Sequence, residues 1–293
     1  MNIDIICPLY NAEKDIEGLH KSLLKQKNVK VNEIKYVLTE SEDNTEEKLK
    51  KLNINFKKIK KEEFSHGLTR ENEAFDSKAD ILVFITQDVK IVRDDWLYNL
   101  TKDIANGEVD ACYSRQLCDN NTIEKYTREC NYPGNSKIVT KDDIEKLGLK
   151  TFFFSDASSA IKRETFVKLN GYDHKKLIIN EDMYIAYKLI TNGYKIKYCA
   201  DSEVIHSHVF TLKQYYDRYK DTGKFFKENS YLNNYKVNQA GGSMAKYVFK
   251  RAIQDKNWSV LISFVPNMAA RFIGMKVGKI WYESINCIRK SFL

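Results

Sequence analysis

The chain has 293 residues, 43% of them apolar and 30% charged, which suffices for one sizeable α/β domain with an appendage and lies far from the composition of a disordered chain. Its net charge of +8 does not mark a nucleic-acid-binding domain, because residues 244–293 hold nine Lys/Arg against two acids, a net of +7 that leaves +1 for everything before them. No window reaches the ~18 consecutive apolar residues of a membrane-crossing helix. The opening Met1-Asn2-Ile3-Asp4 carries neither a basic leader nor an apolar stretch, so a cytoplasmic location is expected. The six scattered cysteines form no Cys-x-x-Cys pair and read as free thiols.

Ile3 to Cys7, Ile34 to Leu38 and Ile81 to Ile85 are short apolar runs rich in β-branched and aromatic residues, each followed by a polar cluster, and they read as buried parallel strands. Helical spacing lies between them, at Ile16, Leu19, Leu23 and Leu24 and again at Leu68, Asn72 and Phe75. Strand and helix alternate to about residue 105, which predicts a doubly wound sheet with right-handed crossovers and a ligand beyond the carboxyl ends of its strands. Those ends offer Pro8-Leu9-Tyr10-Asn11, Thr39-Glu40-Ser41-Glu42-Asp43 and Thr86-Gln87-Asp88. No glycine-rich phosphate loop follows the first run, which argues against a dinucleotide-binding enzyme, a phosphate-loop ATPase and a nucleotidyltransferase.

Further along, a helix is expected from Arg163 to Leu169, and another from Asn180-Glu181-Asp182 to Asn192-Gly193. Acids in a first turn are ordinary helix chemistry, so Glu181 and Asp182 read equally as a charged helix start or as a functional pair. His206 and His208 lie two apart on an expected strand, where both would project to one face. Tyr215 to Glu228 reads as a helix and Ala240-Gly241-Gly242-Ser243 as a linker. Residues 244–291 then alternate apolar stripes with basic residues, a pattern suited to an anionic lipid surface or to packing on the main domain or a second subunit. The expected division is a catalytic domain over 1–210, a helical connector over 211–243 and a basic amphipathic tail over 244–293.

In chain order, Ile5-Ile6-Cys7-Pro8-Leu9-Tyr10-Asn11, Phe64-Ser65-His66-Gly67-Leu68-Thr69-Arg70-Glu71-Asn72-Glu73-Ala74, Phe84-Ile85-Thr86-Gln87-Asp88-Val89, Tyr113-Ser114-Arg115-Gln116, Gly171-Tyr172, Glu181-Asp182-Met183 and His206-Ser207-His208 resemble family 2 glycosyltransferases, in particular their bacterial rhamnosyltransferase branch. The resemblance implies an α/β, GT-A fold, Rossmann-like with a mainly parallel central sheet, here followed by a helical C-terminal extension. It also implies an inverting, metal-dependent transfer from a nucleotide-diphosphate sugar to a saccharide or lipid-linked acceptor. L-rhamnose from dTDP-rhamnose is the expected donor; UDP-galactose or UDP-glucose, or a catalytically silent binding module, are the alternatives.

By the same resemblance Pro8, Tyr10 and Asn11 shape a base pocket, Thr39 and Glu40 bond base or ribose, and Arg70 faces base or diphosphate. Gln87 and Asp88 face the donor, and Asp88, aided by His206 or His208, holds a divalent cation, Mg2+ or Mn2+. Most members read Asp-x-Asp where this chain has Thr86-Gln87-Asp88, a form the rhamnosyl branch shares. Asp182 is the expected base, with Glu181 beside it. An anionic membrane on the inner face of the cell is the expected partner of the tail, nucleic acid is not, and a homo-oligomer is left open.

Overall fold

A computed structural model describes residues 1–236 and 240–290, apart from the side chains of 240, 241 and 281–290. In chain order its strands and α-helices are β1 (Asn2–Leu9), α1 (Ile16–Leu24), β2 (Lys30–Thr39), α2 (Thr45–Lys51), β3 (Phe56–Ile59), α3 (His66–Asp76), β4 (Ile81–Ile85), α4 (Trp96–Ala105), β5 (Ala111–Leu117) and α5 (Ile123–Asn131). They continue with β6 (Lys137–Val139), α6 (Ile144–Leu147), β7 (Ser158–Lys162), α7 (Arg163–Lys168), α8 (Glu181–Thr191), β8 (Ile196–Ile205), α9 (Leu212–Glu228), α10 (Ala240–Gln254) and α11 (Trp258–Lys290). They divide between two compact units, one of residues 1–119, 132–143 and 151–207, the other of 120–131, 144–150 and 208–293.

The first unit is built on one eight-stranded sheet in the order β3-β2-β1-β4-β7-β5-β8-β6. β1 runs parallel to β2 and β4, and β2 parallel to β3. β7 is antiparallel to both β4 and β5, β5 is parallel to β8, and β6 is antiparallel to β8. Every strand except β6 and β7 therefore points the same way, and the carboxyl ends of β1, β2, β4, β5 and β8 share one sheet edge. Because β7 runs backwards, its amino end, just after Asp156, comes to that same edge.

The sequence dictates this sheet through burial on both faces. Ile3, Ile5, Cys7 and Leu9 of β1 face a core completed by Ile16, Leu19 and Leu23 of α1 and by Trp96, Leu97 and Leu100 of α4. On β4 the alternate residue Phe84 packs at a tilt against Phe166 of α7, ring centroids 5.7 Å apart, and near Tyr172. A strand buried on both sides has no polar alternation, which is why β1 and β4 read as continuous apolar runs. Leu24, grouped by spacing with Ile16, Leu19 and Leu23, is exposed instead.

In the second unit Ile123 and Tyr126 of α5, Tyr215 of α9, Val248 and Ala252 of α10 and Val260 of α11 form a separate apolar cluster. α10 starts at Ala240, so residues 240–243 open a helix where a linker was expected. The stretch Trp258–Ile280 of α11 has a mean hydropathy of 1.3, long and apolar enough by composition to cross a membrane. A search for unbroken apolar runs overlooks it, because polar residues interrupt the stretch without cancelling its average.

Candidate active site

At the shared sheet edge the strand ends are tied to one another by side chains. The Tyr10 N–H donates to Gln87 Oε1 at 2.7 Å and Gln87 Nε2 donates back to the Tyr10 carbonyl at 2.8 Å, joining the ends of β1 and β4. Asn11 takes the left-handed conformation, φ +48°, which Asn tolerates better than most residues. Its N–H donates to Ser41 Oγ at 3.0 Å and its Oδ1 accepts from the Glu42 N–H at 2.9 Å, so Asn11 holds the β1 and β2 ends together. Pro8 is buried beneath them, while Tyr10 and Glu40 stand exposed on the rim. The hydroxyls of Thr39 and Thr86 are buried with no hydrogen-bond partner among the described residues. Such groups are rare because each costs about 1–3 kcal/mol, and these two sit at the strand ends where a polar ligand would satisfy them.

The carboxylate–imidazole cluster lies at the ends of β4 and β8. Asp88, His206 and His208 each offer a ligand atom, all within 4.8 Å of one another, and His206 Nε2 lies 3.4 Å from Asp88 Oδ1. β8 ends at Ile205, so both histidines follow the strand instead of lying on it, although the His206 N–H still donates to the Leu117 carbonyl at 2.9 Å. Gln116 Nε2 donates to Ser155 Oγ at 2.7 Å, which leaves Gln116 Oε1 to accept from His206 Nδ1 at 2.9 Å. A carboxamide oxygen only accepts, so Nδ1 of His206 is the donor to Gln116 and Nε2 is the nitrogen turned to Asp88. Histidines that bind metals are commonly oriented by such a bond. This donor set fits a divalent cation.

The acid pair is assembled from α3, the start of β7 and α8. Arg70, fully buried, donates through Nη1 to the His66 carbonyl at 2.9 Å and to Glu181 Oε1 at 3.3 Å, and through Nη2 to the Asp156 carbonyl at 3.4 Å. Its guanidinium is thus turned to the acids of α8 and β7. Asp156 accepts from Ser159 Oγ at 2.6 Å and from the Tyr172 hydroxyl at 2.7 Å. Glu71, also buried, accepts from the backbone N–H groups of Tyr172 and of His174, the latter at 3.0 Å, and so fixes the turn that leads to α8.

One guanidinium therefore pairs with Glu181 and acts on the carboxyls of Asp156 and Asp182 only through its charge. Burial pushes the Asp156 carboxyl up to about 6, against the pull of Arg70 and with the help of Glu181. Enclosure by protein, and then the charges of Glu181 and Asp156, hold Asp182 well above the usual carboxylate range. Glu181 is committed to its ion pair with Arg70. Asp182 is half-buried, accepts only the Met183 N–H, at 2.7 Å, and has no ion pair among the described residues. A carboxyl whose hold on a proton is raised in this way is suited to take one up from a hydroxyl beside it.

The metal cluster and the acid pair are linked through the backbone of β7. The Thr86 N–H donates to the Ala157 carbonyl at 3.2 Å, and Asp156, the preceding residue, is bonded to Arg70. Asp156, Gln116, Ser155 and Glu71 were not assigned roles from the sequence. A lone acid between the Phe152-Phe153-Phe154 run and an apolar strand is the signal that could have found Asp156. Trp96 is plain core and donates its indole N–H to Ser114 Oγ at 3.0 Å. A hollow of about 600 Å³ between α1 and residues 91–95 shares no residue with this site.

Residues 4–169 match the family model for glycosyl transferase family 2. The chain is 34% identical over 293 residues to the O-antigen chain rhamnosyltransferase RfbN of Salmonella typhimurium, covering 96% of this chain and 90% of that protein. It is 35% identical over 291 residues to the O-antigen chain rhamnosyltransferase WbaN of Salmonella anatum, with 94% and 89% covered. Among solved structures, the mannosyltransferase PcManGT from Pyrobaculum calidifontis in complex with GDP-Man and Mn2+ superposes with a TM-score of 0.61 at 15% identity, over 95% of this chain and 87% of that one. The fold is that of a GT-A glycosyltransferase, an enzyme built on a mixed α/β sheet. More particularly, the chain belongs to glycosyltransferase family 2.

Proposed function

We propose that this enzyme transfers L-rhamnose from dTDP-rhamnose to an acceptor hydroxyl of a cell-surface polysaccharide or its lipid-linked precursor, with inversion at the anomeric carbon and Asp182 as the base. The rhamnosyl donor is supported by the two relatives, which are rhamnosyltransferases along nearly the whole chain. The observation that carries the base assignment is the division of labour in α8: Glu181 is paired with Arg70, and Asp182 is half-buried with no ion pair among the described residues.

Asp182 takes the proton of the acceptor hydroxyl as the oxygen forms its bond to the anomeric carbon. The bond to the nucleoside diphosphate breaks on the opposite face, and the leaving group departs with the electron pair. Pro8, Tyr10, Asn11, Thr39, Glu40 and Gln87 hold the nucleotide at the ends of β1, β2 and β4. Arg70 positions the acid pair from below. Asp88, His206 and His208 would hold a divalent cation, which offsets the charge on the departing diphosphate. Two imidazoles with one carboxylate suit Mn2+ better than Mg2+, which favours oxygen ligands alone.

The apolar, basic second unit supports a place on the inner face of the cell membrane. A screen of dTDP-rhamnose, UDP-galactose and UDP-glucose by thermal shift and turnover, with Mn2+ or Mg2+, tests donor and metal together. The largest shift and the turnover should both belong to dTDP-rhamnose with Mn2+. Turnover with a UDP-sugar alone would reject the donor assignment.

A further inference from the structure

The 33-residue helix α11 is apolar on two sides, one packed against its own unit and one left exposed. Its inward face carries Val260, Asn267, Arg271, Gly274 and Gly278, all buried. Arg271 Nε donates to Asn267 Oδ1 at 2.7 Å, and Nη1 donates to the Tyr219 hydroxyl at 3.3 Å. Arg271 Nη2 lies 3.6 Å from Glu124 Oε1, and the guanidinium lies 4.4 Å from the centre of the Tyr215 ring. The outward face carries Trp258, Ile262, Val265, Phe272, Ile273 and Ile280, between 51% and 79% exposed. Their spacings, mostly of four, three and seven, place them in one stripe along the helix. A helix in water buries its apolar stripe and shows its polar one. α11 packs Val260, Leu261, Phe264 and Met268 against its own unit, yet leaves a second apolar stripe outside and encloses Arg271 within.

What surrounds the stripe identifies its occupant. Lys250 and Lys256 are exposed on α10 and the turn before α11, and Lys276, four residues from both Phe272 and Ile280, stands within the stripe, 5.6 Å from the centre of the Phe272 ring. Their charge complements anionic headgroups, and Trp258 stands at one end of the stripe. The helix does not cross a bilayer alone, because α9 is locked beside it. A Cβ on Gly274 would lie 2.4 Å from the Tyr216 carbonyl oxygen, and one on Gly278 would lie 1.9 Å from that of Lys220. α9 itself carries Lys213, Asp217, Asp221 and Lys224, paired with one another on its surface. Such a surface stays in water.

We propose that the outer stripe of α11 inserts into one leaflet of an anionic bilayer, with the helix lying in the membrane plane and α9 remaining on the aqueous side. This deepens the membrane reading given above and rests on it. The test is flotation of the full chain with vesicles of phosphatidylglycerol and phosphatidylcholine, comparing wild type with Val265→Glu/Phe272→Glu and with the milder Ile262→Ser/Val265→Ser. Turnover on a soluble acceptor and the oligomeric state are measured beside it.

The glutamate pair should lower vesicle partition at least about tenfold and the serine pair less, with unchanged melting temperature and turnover. Equal partition of wild type and both variants would overturn the stripe while leaving membrane binding in place. No partition of the wild type would overturn both. A dimer of the wild type that the glutamate pair converts to monomer without vesicles would assign the stripe to a second copy of this chain instead.

Discussion

Asp182 owes its character to its neighbours, and that makes it separable from Glu181 by experiment. Asp182→Asn should lower turnover by about 10²–10⁴-fold while leaving donor binding nearly intact, as calorimetric titration of the donor beside a rate assay will show. The same substitution affects stability with a definite sign. Enclosure and the Glu181 and Asp156 charges raise the folded-state pKa, so the native state binds the proton more tightly than the unfolded one. That stability is fully present below the unfolded pKa, about 4, and is lost as pH rises through the folded value. Asp182→Asn should therefore melt higher than wild type at pH 8, with the gap closing toward pH 4. Asp156→Asn removes one of the raising charges and should shift the acid limb of the rate profile to lower pH; an unmoved limb would detach Asp156 from the base.

The same scale gives a test of the metal cluster. Gln116→Leu removes the group that accepts from His206 Nδ1, and should weaken Mn2+ binding about 10–100-fold with the ligands themselves intact. Electron paramagnetic resonance titration of free Mn2+ reads this without any turnover. Asp88, Asp182 and the histidines stand out in the sequence as candidates through the order of their motifs. Gln116 and Asp156 do not, because their roles arise from β5 and β7 being neighbours, a relation no local pattern encodes.

Among elements, the turn before α8 is the most sensitive. Gly171 has φ +46°, and a Cβ there would stand 2.8 Å from Glu71 Oε2 and 2.9 Å from the Phe166 ring. Gly171→Ala should cost about 1–3 kcal/mol, read as a lower melting temperature, and turnover should fall further than the stability loss explains, because α8 is displaced with the turn. β1, β2 and β4 were readable from their apolar runs, and α8 from its acids and its terminal Asn192-Gly193. The direction of β7 was not, since Ser158-Ser159-Ala160-Ile161-Lys162 pairs equally well either way in isolation. The glycines at 241 and 242 suggested a linker for a sound local reason, a penalty near 1 kcal/mol each in a helix. Burial of Val248 and Ala252 beside α5 outweighs that penalty.

For the molecule as a whole, the two units are interleaved along the chain. Residues 120–131 and 144–150 belong with 208–293, although residues of the sheet unit precede and follow both stretches. A fragment of residues 1–210 therefore keeps α5 without α9, α10 and α11, leaving Ile123 and Tyr126 bare. It should aggregate or elute as a large species in size-exclusion chromatography, whereas the full chain should not. Removing residues 244–293 carries a similar risk. Point substitutions on α11 are the cleaner probe of that helix.

The reversed strand also governs the order in which this protein can be made. β4 pairs on its far side with residues 158–162, and β5 reaches the rest of the sheet only through those same residues. On the ribosome, then, β4 keeps a raw edge and β5 has no partner strand until more than half the polypeptide has emerged. Unpaired edges invite pairing with other chains. Synthesis rate and chaperone supply should accordingly weigh more on the yield of this enzyme than its final stability does.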